Sequence, residues 1–111
     1  MENNNIPVKF TQEIKDNWLA NLKSGKYVQG IGRLVREVPL KQHCCLGVLG
    51  DCTDGLNNDL MSGTDPYYFL TNNIGHSYME RLWKTNDRLT DGDNRDYSNV
   101  IPLIEALPVT D

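Results

Sequence analysis

The sequence predicts a small α+β fold, and three observations carry that prediction. An apolar stripe of helical period, Ile14, Trp18, Leu19 and Leu22, lies near the N-terminus. The period then breaks in a β-prone stretch over residues 26–42, where Gly30 and Gly32 flank Ile31 and Pro39 interrupts any regular strand. Finally, 12 Asn and 10 Asp make up about a fifth of the chain, and these residues favour caps and turns over element interiors. With 111 residues there is room for one domain. We expect three or four short helices with a small antiparallel sheet or hairpin. Residues 1–10 read as an extended or flexible arm, and residues 11–111 as one compact domain.

Each element has its own signal. Thr11 is placed to cap a helix over residues 12–24, Glu13 suits its first turn and Lys23 its last, and Gly25 stops it. Tyr27-Val28-Gln29 and the run from Arg33 to Val38 suggest a short strand or irregular hairpin. Residues 43–52 are the most apolar stretch and read as a short buried helix with Cys45, Val48, Leu49 and Cys52 on one face; a strand is the alternative. That helix should receive Trp18. Residues 53–66 carry loop signals, and Tyr67 to Leu70 form a short strand or the first turn of something further. Ile74, Tyr78 and Leu82 imply a helix near 75–85, with Trp83 either sharing the core with Trp18 or facing outward. Residues 86–96 are polar and turn-like. A last helix over the Val100–Leu107 segment accommodates Pro102 in its first turn if Ser98 or Asn99 caps it, and Pro108 ends it.

Composition narrows the function classes. Eleven basic against fifteen acidic side chains give a net charge of −4, which argues against a dedicated nucleic-acid binder. No apolar run approaches the ~20 residues needed to span a bilayer. The N-terminus lacks a basic and apolar leader, and three cysteines, two of them adjacent, make a poor disulfide framework. A reduced, cytoplasmic protein is therefore expected.

Trp18, Leu22, Ser24-Gly25, Tyr27, Gln29-Gly30, Gly32 and Leu34 stand in a W-x-x-x-L-x-S-G-x-Y-x-Q-G-x-G-x-L pattern, followed by Cys44-Cys45-Leu46-Gly47-Val48-Leu49. This resembles a family of small phage and prophage proteins. Asn86-Asp87, Tyr97 and the segment from Ile101 to Glu105 are similar to the family's C-terminal N-D and F-x-x-I-x-x-x-I-E pattern. The resemblance covers residues 14–52 and, more loosely, 80–107. It implies phage origin and one compact domain, so that the cytoplasm expected above would be a host's; it implies no reaction.

Several constellations bear on chemistry. Cys44 or Cys45 as nucleophile, with His43 or His76 as base and Asn86 or Asp87 as orienter, would make a thiol-dependent hydrolase or transferase. Against this, cysteine is among the most buried residue types and packs as a small hydrophobe. His43, Cys44, Cys45, Cys52 and His76 have the wrong spacing for zinc. The acidic run from Asp87 to Asp96 fails an EF-hand register, since Arg95 falls at position 5, Asp96 at the glycine and Pro102 at position 12. No metal and no cofactor are expected. The candidate ligand surface is Tyr27, Gln29, Gly30, Gly32 and Arg33, joined by Asn86 and Asp87. Glycine N–H groups and a guanidinium fork suit phosphate or carboxylate, and the tyrosine offers a stacking face. A turn with an exposed arginine is the bland alternative, with Gln29, Asn86 and Asp87 as internal staples. The leading expectation is a non-enzymatic phage accessory protein that binds a host protein or a small anionic, nucleotide-like molecule, with interference in host defence as its use.

Overall fold

The structure is a computed structural model that describes residues 7–37, 40–59, 62–89 and 94–110. Residues 1–6 of the expected arm, Pro39, and Asp91 to Asp93 of the acidic run lie outside the described residues.

Thr11 caps the first helix, α1 (Gln12–Lys23), its hydroxyl accepting from the Ile14 N–H at 3.2 Å. Gly25 follows at φ +78°, a conformation that favours glycine. Trp18 and Leu22 turn inward and are buried. Two short strands come next, β1 (Val35–Arg36) and β2 (Gln42–His43), paired antiparallel with Val35 opposite His43. A lone parallel bridge joins Gln29 to His43, which widens the hairpin by one strand's edge.

The apolar run forms α2 (Cys45–Cys52), the centre of the core, with Cys45 to Gly50 all buried. Trp18 packs against it as expected, its indole donating to the Cys45 carbonyl at 2.9 Å. Gly47 lets the β1 segment come close: a Cβ there would lie 1.9 Å from the Leu34 carbonyl oxygen. Asp65 then caps α3 (Pro66–Ile74), accepting from the Tyr68 N–H at 2.9 Å with proline in the first turn. The aromatic run is thus helix rather than strand, and the described helices number five. Gly75 separates α3 from α4 (His76–Asn86), where Met79 and Leu82 are buried while Tyr78 faces solvent.

The last helix, α5 (Ile101–Glu105), has Pro102 in its first turn, but neither Ser98 nor Asn99 caps it; Val100 occupies that position without a side-chain bond. Asn99 is engaged elsewhere, donating to the Thr85 carbonyl and accepting from Gln29. The buried Lys15 amine serves the other end of α5, donating to the carbonyls of Glu105 at 2.7 Å and Leu107 at 2.8 Å. Phe10, assigned to the arm by sequence, is fully buried edge-on to Trp18 and Phe69. Its backbone is tied to Asn73 and Thr110. The packed body therefore includes it, because a large aromatic gains more from burial than a frayed chain end retains in entropy. Among the described residues no helix is long and apolar enough to cross a membrane.

Candidate functional site

The sequence candidates divide into a buried half and a surface half. Gln29 and Asn86 are both fully buried. The Gln29 amide donates to Asn86 Oδ1 and Asn99 Oδ1, each at 2.9 Å, and its Oε1 accepts from the Tyr97 N–H at 2.8 Å. Asn86 Oδ1 also accepts from the Cys45 N–H at 3.1 Å, and its Nδ2 donates to the Gly30 carbonyl at 2.9 Å and to Asp87 Oδ1 at 3.0 Å. The network fixes which amide atom is oxygen, since an N–H must meet one end and a carbonyl the other. Buried amides that bond on both ends have nothing left for a ligand. Gln29, Gly30 and Asn86 are therefore withdrawn from the candidate surface: they staple the hairpin to α2, α4 and the loop before α5. Tyr97 belongs to the same network; at φ 68° it is the one non-glycine residue with positive φ among the described residues, and its hydroxyl donates to the His43 carbonyl at 2.7 Å.

Tyr27 is also turned inward. Its ring meets His43 edge-on at 4.9 Å and its hydroxyl donates to Asp51 Oδ2. Burial, then the Asp51 hydrogen bond, push its pKa well above the tyrosine range. No stacking face remains for a ligand there.

The thiols are held protonated. Cys44 caps α2, its Sγ accepting from the Gly47 N–H at 3.4 Å, yet burial outweighs that bond and pushes its pKa up to about 11. Burial raises Cys45 further and Cys52 as well. The half-buried Cys52 is the most accessible of the three. The His43 pKa is lowered by burial, with its ring against Tyr27, and His76 lies exposed beside Glu80. Among the described residues no imidazole is hydrogen-bonded to a sulfur.

The surface half of the candidates forms one wall of a groove. Gly32, Arg33 and Leu34 line it from the hairpin, Cys44 and Leu46 from the cap and first turn of α2, Tyr67 from α3, and Trp83 and Asp87 from α4 and its end. Its volume is about 150 Å³. Leu34, Leu46, Tyr67 and Trp83 make the lining apolar, while Arg33 and Asp87 supply opposite charges. Asp87 Oδ1 accepts from the Gly32 N–H at 3.1 Å and from Asn86, so the buried staple sets the position of this wall. Arg33 is exposed and, among the described residues, has no ion-pair partner. Cys44 contributes to the lining while only 7% exposed. The indole N–H of Trp83 is buried without a hydrogen-bond partner among the described residues. Sequence reasoning singled out Gly32, Arg33 and Asp87 but missed Leu34, Leu46, Tyr67 and Trp83, which come together from four separate segments. A larger depression of about 350 Å³, beside Val8, Leu56, Tyr68 and Phe69, has no charged side chain to orient a ligand.

No curated protein and no solved structure matches the chain. One family model, described as Domain of unknown function (DUF8296), matches residues 10–61, which takes in α1, the hairpin and α2 and makes that part of the chain similar to the family.

Proposed function

We propose that this protein works by holding a protein partner rather than by making or breaking bonds, and that the groove between the hairpin, α2, α3 and α4 receives one large apolar side chain of that partner. The carrying observation is the groove's size and lining. About 150 Å³ falls well below the ~300 Å³ at which small-ligand sites begin, but suits a single anchoring side chain of the kind that dominates protein interfaces. Tyr67 and Trp83 are residue types enriched at such interfaces, and Arg33 joins them at the edge. The raised pKa of every thiol supports binding over nucleophilic chemistry. A small anionic, nucleotide-like ligand is the second reading, favoured by Arg33 beside two aromatic rings. The small volume and the Asp87 carboxylate weigh against it. The setting of a phage accessory protein in a host cytoplasm, with interference in host defence as its use, rests on the motif resemblance and on a chain of three free cysteines.

The test is a nuclear magnetic resonance titration with N-acetylleucinamide, N-acetylphenylalaninamide and adenosine monophosphate. The amides are expected to shift the Trp83 indole and the Leu34 and Leu46 methyl signals in a saturable way. Shifts with the nucleotide alone would replace this reading by the small-anion one. An absence of groove shifts with all three would end both.

A further inference from the structure

Resting on the groove reading above, we infer that the partner segment is acidic: a short stretch of protein chain with carboxylates flanking its apolar anchor. Arg33 stands at the groove with its guanidinium exposed. Arg36 and Lys41, on the same hairpin, are exposed as well, and none of the three has an ion-pair partner among the described residues. Glu37 is the single acidic residue between 33 and 41, so the hairpin carries a net +2 on a chain whose total is −4. The balance of the molecule is therefore −6, so the hairpin is a basic stretch on an acidic chain, and an acidic segment is drawn to the groove's hairpin side. Such asymmetry orients an approaching partner and suppresses wrong ones.

The groove's own carboxylate does not reverse this. Asp87 is held as a structural post by the Gly32 N–H and the Asn86 amide, and these two donors offset its charge locally. A basic partner would be left with the other oxygen, Oδ2, of a carboxylate already engaged at Oδ1. An acidic one meets a guanidinium with no ion-pair partner to displace among the described residues, and its fork matches a carboxylate with two parallel bonds. The volume sets the other half of the description, because about 150 Å³ suits a single anchoring side chain.

The test compares acetyl-Glu-Glu-Leu-Glu-Glu-amide with its all-glutamine and all-lysine counterparts and with a short oligothymidylate, read at the Trp83 indole and the Leu34 and Leu46 methyls. The glutamate peptide is expected to bind about tenfold more tightly than the glutamine peptide at low salt. That gap should close to about threefold or less at several times the salt, as screening requires. Arg33→Glu is expected to turn the preference toward the lysine peptide. Equal binding of the glutamate and glutamine peptides, or tighter binding of the oligonucleotide, would overturn the inference while leaving the groove in place. No groove shift with any peptide, nor with N-acetylphenylalaninamide, would instead remove the groove reading beneath it.

Discussion

Asn86 is the residue whose removal should cost most for its size. Truncation in Asn86→Ala breaks four hydrogen bonds, but not all four partners are stranded. Gln29 Nε2 keeps Asn99, and Asp87 Oδ1 keeps the Gly32 N–H. The Cys45 N–H, in the first turn of α2, and the Gly30 carbonyl lose the partner shown for each. An unsatisfied buried backbone group costs about 1–3 kcal/mol. Two of them, with a small cavity, give a loss of about 3–6 kcal/mol. A domain of this length holds about 6–16 kcal/mol in total. The melting temperature should then fall by about 12–24 °C, at about 4 °C per kcal/mol. Differential scanning calorimetry and urea titration measure both quantities. The isosteric Asn86→Asp sharpens the test. It places oxygen against the Gly30 carbonyl and Asp87, so it is also strongly destabilised near neutral pH, where its carboxyl would have to bury a charge. On acidification the protonated carboxyl donates again and part of the loss returns, the reverse of an ordinary carboxylate's contribution. A fall of less than about 4 °C for the alanine variant, about 1 kcal/mol, would refute the staple and return Asn86 to the candidate surface.

Other consequences follow from the same geometry. Alkylation of the native protein at neutral pH should label Cys52 first and leave Cys44 and Cys45 untouched until unfolding, as mass spectrometry of quenched samples would read; rapid labelling of Cys44 would contradict a pKa of about 11 and revive the hydrolase reading. Gly47→Ala should destabilise by about 1–3 kcal/mol in urea titration despite the better helix propensity of alanine, because its Cβ would meet the Leu34 carbonyl oxygen at 1.9 Å. Stability should fall with pH below about 6.5, where an unfolded His43 takes a proton that the folded protein, with its pKa lowered by burial, refuses. The fall levels off once the pH passes below the folded pKa, and the part due to this residue should vanish in His43→Gln. Arg33→Ala, a surface truncation, should shift stability by no more than about 0.5 kcal/mol while weakening acidic-peptide binding.

Periodic elements were legible in the sequence; contacts made across the chain were not. Helix α1 follows from its stripe and from Thr11 and Gly25, because cap and period are local properties. Helix α2 follows from an apolar run too rich in buried residue types to face water. Helix α3 was obscured, since its Tyr67 to Leu70 start and Asn72-Asn73 favour strand and turn by local preference. The Asp65-Pro66 pair was the available signal: a capping carboxylate followed by proline at the first helical position. At α5 the expected caps failed for a reason no window could reveal. Asn99 is more useful bonded to Thr85 and Gln29 than to its own helix.

The candidate site shows the same boundary more sharply. Gln29, Gly30, Asn86 and Asp87 were singled out as chemistry-bearing residues, and the sequence could not separate a ligand's contacts from a fold's own polar bonds. A loop-rich chain with two short strands leaves many backbone groups unpaired, and side-chain amides then do the work that a larger sheet would do with its ladder. Asn86 bonds at once to the hairpin, to the start of α2 and to Asp87. Asp87 in turn fixes the Gly32 N–H at the groove's wall. The residues that hold the fold and the residues that shape the groove are consecutive in one network. A loss of groove binding in an Asn86 variant would therefore report geometry rather than contact, whereas Arg33, exposed and without an ion-pair partner among the described residues, offers a substitution that changes recognition without touching the frame behind it.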